Sequence, residues 1–177
     1  MMTMRRTILL AIAAGLAGAA ALAQAQGPVS ALKGHNSNAP VDVSADRIEV
    51  QDRADRAIFA GNVHVRQEDL TLDTARLTVA YSSAGGVQIQ RLDASGGVTV
   101  RSPSETARGD FGVYDLERKL ITLVGHVQLN RGGSHLMGSR LVIDLNSGRA
   151  VMDGGPAGVA QSGGRVTGRF TVPQRDD

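Results

Sequence analysis

Residues 57–67, "AIFAGNVHVRQ", alternate apolar and polar side chains around a central glycine, and the arrangement returns at 92–102, "LDASGGVTVRS", and at 121–131, "ITLVGHVQLNR". Aligned on Gly61, Gly96 and Gly125, the blocks place Ala57, Phe59, Val63 and Val65 against Leu92, Ala94, Val98 and Val100, and against Ile121, Leu123, Val127 and Leu129. The intervening positions include Asn62, His64, Arg66, Thr99, Arg101, His126, Gln128 and Asn130. A period of two with one greasy and one wet face predicts antiparallel strands covered on one side only. The recurring central glycine predicts a bulge or bend that helps the sheet curl.

Each block leads into a second strand: Leu72, Leu77 and Val79 after the first, Ala107, Gly112 and Tyr114 after the second, Leu136, Leu141 and Ile143 after the third. A related phrase containing Ile48 and Val50 opens the body, and a partial fourth copy begins at Ala150, Met152 and Gly154 and stops at Pro156. The repeating unit is therefore a hairpin, with its glycines 35 and 29 residues apart. Units this small cannot bury their own apolar face and gain stability by stacking on neighbours. Turn residues fall between the strands at "QDRADR", "SSAGG", "LERK" and "NSG", where such chemistry is required. From Val41 to about Met152 the alternation is not replaced by a helical period, although "SPSETARGDFGVYD" breaks it locally.

A chain of 177 residues, 42% hydrophobic but only 3% aromatic, suits one β-rich domain. Its first 25 residues have the layout of a secretory signal peptide: Arg5 and Arg6, an Ala/Leu/Ile run, then small-x-small triplets ending at Ala23 and Ala25. The competing reading is a retained membrane anchor, for which the run from Thr7 to Ala23 is short and weakly hydrophobic. Residues 26–40 read as a flexible lead-in, 41–155 as the domain and 156–177 as a flexible tail with a final strand around "RVTGRFTV". Without Arg5 and Arg6 the 19 basic residues become 17 against 17 acidic ones, so bulk charge does not argue for nucleic acid. There is no cysteine, which excludes disulfides and thiolate metal sites.

Candidate chemistry is sparse. His35, His64, His126 and His135 fall at unrelated repeat positions, which favours solvated side chains over a metal site. No nucleophile elbow, P-loop or HExxH motif is present, so no enzyme activity is expected and no cofactor is implied. Three Phe, two Tyr and no Trp leave little to stack on bases or sugars. The inner apolar face remains, and composition alone leaves two readings open: a closed hydrophobic core, or a core completed by an apolar ligand that gains about 0.8 kcal/mol per buried CH₂.

The phrases "PVDVSADRIEV", "RAIFAGNVHVRQEDLTLDTARLTV" and "ARGDFGVYDLERKLITLVGHVQLNRGGSHLMGSRLVIDL" resemble the OstA-like, LptA-type family of periplasmic lipopolysaccharide-transport proteins over about residues 40–155. The resemblance implies an all-β, twisted antiparallel β-jelly roll built from repeated hairpins and open at the ends. It also implies a bridge that shields lipid A acyl chains on the way from inner to outer membrane. The lipid-binding inner face would comprise Val41, Val43, Ile48, Val50, Phe59, Val63, Val65, Leu72, Leu77, Val79, Val98, Val100, Tyr114, Ile121, Leu123, Val127, Leu129, Leu141 and Ile143. Implied partners are lipopolysaccharide, an inner-membrane LptC-like protein and an outer-membrane LptD-like translocon, with head-to-tail self-association at sheet edges. The alternatives are a membrane-anchored LptC-like member of the same assembly and a structural β-solenoid module without ligand.

Overall fold

The computed structural model describes Leu32, residues 35–155 and residues 164–171. The expected signal peptide, part of the lead-in and most of the tail lie outside these residues. Ten strands follow in order: β1 (Asp42–Ser44), β2 (Arg47–Gln51), β3 (Arg56–Gln67), β4 (Leu70–Ser82), β5 (Gln88–Arg101), β6 (Glu105–Asp115), β7 (Leu120–Arg131), β8 (Ser134–Asp144), β9 (Arg149–Asp153) and β10 (Thr167–Arg169). They form one antiparallel sheet, with neighbours following chain order from β3 to β8. The expected all-β run of hairpins is what the chain forms, and helix is confined to one 3-10 turn at Asp52–Ala54 among the described residues.

Both edges of the sheet are split. β1 pairs with β3 through Val43 and Val65, and β2 pairs with the other half of β3 through Ile48 and Phe59. At the far edge β9 pairs with one half of β8 and β10 with the other. The fourth repeat stops at Asp153, just ahead of Pro156, as expected of a residue that cannot donate to a ladder. The first half of β8 is instead paired by β10, which falls within the stretch expected as a final strand in the tail.

The repeated glycine has the expected job. Register shifts fall between Ala60 and Val63, Ser95 and Val98, and Val124 and Val127, so two residues of each odd strand oppose one residue of its neighbour. Each pair is left-handed: Gly61 and Asn62, Gly96 and Gly97, Gly125 and His126 all have positive φ. At Gly96 a side chain would also collide, because its first carbon would lie 2.8 Å from Ala75 Cβ. The bulges line up into a seam that crosses the sheet and divides each long strand into two halves.

This seam also explains the irregular block. In β4 the buried positions are Leu70, Leu72 and Thr74 on one side of the seam and Leu77 and Val79 on the other; in β6 they are Glu105, Ala107 and Gly109, then Gly112 and Tyr114. Strands opposite a bulge lack the extra residue, so their inward positions change parity at the seam. The broken alternation of "SPSETARGDFGVYD" is that change of parity.

The sheet covers its own apolar face. Gln67 on β3 and Tyr114 on β6 are separated by β4 and β5, about 14 Å in a flat sheet, yet their side chains meet at 3.0 Å. The two halves therefore pack against each other, and Leu77, Leu92, Leu123, Leu141, Ile143, Val63, Val98 and Val127 between them are almost completely shielded from solvent.

Candidate functional site: an apolar trough at the amino-terminal edge

Fourteen of the nineteen residues expected on the inner face are buried. Val41, Val43 and Phe59 are partly buried against that core. Ile48 and Val50 are 56% and 57% exposed. All share the inward face, yet the structure divides them into a closed interior and an open end. In the interior lies a crevice of about 20 Å³, lined in part by Val65, Leu72, Tyr114 and Leu123. That is little more than the room one water needs.

The open end is different. A trough of about 710 Å³ lies at the amino-terminal edge, with Val41 and Val43 of β1 and Ile48 and Val50 of β2 along it. Ala57, Phe59 and Val79 contribute from β3 and β4, and Val87 and Ile89 from the β4–β5 connection and the start of β5. The trough exists because β1 and β2 are the last strands of the sheet, so among the described residues the inward face of β2 has no opposing layer. Val87 adds to the exposed apolar surface at 74%. Contiguous exposed apolar surface of this kind marks a binding groove more often than it marks idle surface.

Six of the expected residues line this trough: Val41, Val43, Ile48, Val50, Phe59 and Val79. The remaining thirteen belong to the packed interior or its crevice. Sequence reasoning missed Val87 and Ile89, which follow a turn and alternate with Gln88 and Gln90 out of phase with Leu92 and Ala94. It also missed the polar rim, where Asp52, Asp55, Tyr81 and Ser83 gather.

The left-handed Asp55 closes the 3-10 turn and its carbonyl accepts from the Tyr81 amide at 3.0 Å. Ser83 donates its hydroxyl to Asp55 Oδ1 at 3.0 Å. Desolvation, with Asp52 and Asp55 beside it, raises the Tyr81 phenol above 10.0, so it stays a neutral donor. Hydrocarbon thus faces one side of the trough and a short acidic and hydroxyl rim the other.

On the outer face several titratable groups pair with one another. His64 and Arg101 both engage Asp73, and His126 engages Asp110 at 2.7 Å. His35 corrects the expectation of a solvated side chain, since it is 1% exposed. Its ring meets Gln67 and Asp69, and His35, Glu68 and Asp69 hold ligand-type atoms within 4.8 Å of one another. Glu68 accepts from Asn36 Nδ2 at 3.0 Å, so all three are engaged within the protein.

The sequence model of the family described as LptA/(LptD N-terminal domain) LPS transport protein matches residues 42–149. The chain belongs to this family. An uncharacterized protein of Rhizobium meliloti (strain 1021) is 33% identical over a 151-residue alignment that covers 80% of each chain. The fold is similar to the crystal structure of LptH from Pseudomonas aeruginosa, described as the LptA-homologous periplasmic component of the conserved lipopolysaccharide transport device. That likeness has a TM-score of 0.68 at 16% identity and covers 78% of this chain and 99% of the other. Among the described residues no helix is long and apolar enough to cross a membrane.

Proposed function

We propose that this protein is a non-enzymatic, periplasmic carrier that binds lipopolysaccharide by its lipid A acyl chains and passes it from the inner toward the outer membrane. The observation that carries this reading is the trough of about 710 Å³ at the amino-terminal sheet edge, lined by Val43, Ile48, Val50 and Phe59. An acyl chain laid there gains about 0.8 kcal/mol per buried methylene, while sugars and phosphates remain in water beyond the rim. Membership in a lipopolysaccharide-transport family agrees with that chemistry.

In this reading the sheet folds as a twisted jelly roll, and its two split edges are the joints. β1 and β2 at one edge and β9 and β10 at the other offer strand-addition sites for an LptC-like protein, an LptD-like translocon or a second copy. Energy for directional movement would come from the partner assembly. The amino-terminal segment with Arg5 and Arg6 would serve export.

Photo-crosslinking tests the trough directly. A photoreactive residue at Ile48, which faces the trough, is expected to form an adduct with lipopolysaccharide. The same residue at Glu49, on the opposite face of β2, is expected to form none. Equal labelling from the two positions would rule out the trough as the acyl site.

A further inference from the structure

We propose that Leu32 and residues 35–40 form a displaceable strap that closes the interior of the sheet, and that its release joins the inner crevice to the trough. This inference rests on the acyl-binding reading given above and extends it to the path a hydrocarbon tail takes.

Three observations carry it. The first is how the strap is held. Gln67 Nε2 donates to the Ser37 carbonyl at 3.1 Å and to the Ala39 carbonyl at 2.9 Å. With the amide nitrogen so engaged, Gln67 Oε1 accepts from Tyr114 at 3.0 Å and meets His35 Nε2 at 2.9 Å. Leu32 adds an apolar anchor, 3% exposed within the core cluster. Among the described residues the strap belongs to no strand, and these side-chain contacts tie it to the sheet, which makes it one of the more readily opened parts of the fold.

The second observation is what lies beneath. Gln67, which holds the strap, and Tyr114, which bonds to Gln67, also line the crevice of about 20 Å³. The crevice walls are otherwise apolar, with Val65, Leu70 and Leu72 from one half of the sheet and Leu123 from the other. Closed, this space admits no hydrocarbon tail. The third observation is continuity. Val41 lines both the crevice and the trough, and it follows the strap directly in sequence. A chain that enters the trough and displaces Val41 pulls on the strap, and a released strap opens the crevice toward the trough.

The test uses the full chain, which has no cysteine. Asn36 and Glu68, linked at 3.0 Å, line neither cavity. The Asn36→Cys/Glu68→Cys protein, bridged by a short thiol-to-thiol crosslinker, keeps the strap shut. Binding of lysophospholipids with an octyl and with a hexadecyl chain is measured before and after bridging.

The strap predicts unchanged octyl binding and at least a ten-fold loss of hexadecyl binding, which corresponds to about two methylenes left unburied. Equal hexadecyl binding in both forms overturns the gate and leaves the trough intact. A matching loss for the octyl probe also overturns it, since the strap would then act on the trough itself. Failure of both forms to bind both probes overturns the acyl-binding reading and the gate with it. A folded Gln67→Leu protein, in which the strap is released, is expected to bind the hexadecyl probe several-fold more tightly; unchanged or weaker binding contradicts the gate.

Discussion

Tyr114 on β6 and Gln67 on β3 meet at 3.0 Å across the interior, and this contact joins the two halves into which the glycine seam divides the sheet. Burial pushes the Tyr114 phenol above 10.0, so it donates as a neutral group over the whole physiological range. Tyr114→Phe keeps the ring and removes the donor, and is expected to cost about 1 kcal/mol. Tyr114→Ala also empties the space beside Leu123 and is expected to cost about 3 to 5 kcal/mol. Urea unfolding of the two variants separates the hydrogen bond from the packing; no loss in Tyr114→Phe would show that the contact is incidental.

The seam itself is testable at Gly96. Its φ of +85° and the Ala75 side chain against it leave no place for a branched residue. Gly96→Val is expected to destabilise the fold by about 2 kcal/mol or more, read as a lowered Tm. Gly85 is also left-handed but has open space around it, so Gly85→Val should cost less. A smaller loss at Gly96 than at Gly85 would mean that the seam is not held by that close approach.

Interior and trough should respond in opposite ways. Leu123, fully shielded, loses about 3 kcal/mol of stability on replacement by Ala. Ile48, more than half exposed, is expected to shift stability by no more than about 0.5 kcal/mol when changed to Asp, while binding of an acyl probe falls at least ten-fold. A Thermofluor melt and a titration on the same preparations decide it. Normal probe affinity in Ile48→Asp would remove β2 from the site.

Acid stability should depend on Asp73. Partial burial raises its carboxyl, but hydrogen bonds from His64 and Arg101 outweigh this and hold the carboxyl below 3.8. A lowered folded value means that the contact contributes fully above about pH 4, and that its contribution disappears as pH falls through the lowered value. Asp73→Asn should therefore narrow its stability gap to the parent protein as pH drops from about 4 toward 2. A gap that stays constant over this range would show that ionisation of Asp73 is not linked to folding.

The architecture was legible because its signals are local. Phe59, Val63 and Val65 alternate with Asn62, His64 and Arg66, and the glycines mark the bulges within a residue or two. The division between packed interior and open trough was not legible, because Val63 and Ile48 carry the same pattern. Only the position of β2 at the sheet edge leaves Ile48 uncovered. The strap left one trace that went unread: Gln67 continues the inward parity of Val63 and Val65, and a polar residue at an inward position needs a buried partner. That partner is 47 residues away in sequence, a separation that no periodicity encodes.

The central claim, that the amino-terminal trough carries acyl chains, is tested most directly by native mass spectrometry of the protein purified from cells that make lipopolysaccharide. The account predicts a population carrying lipopolysaccharide in the parent protein and its loss in a folded Val43→Asp/Ile48→Asp variant. The same lipid occupancy in both proteins would contradict it.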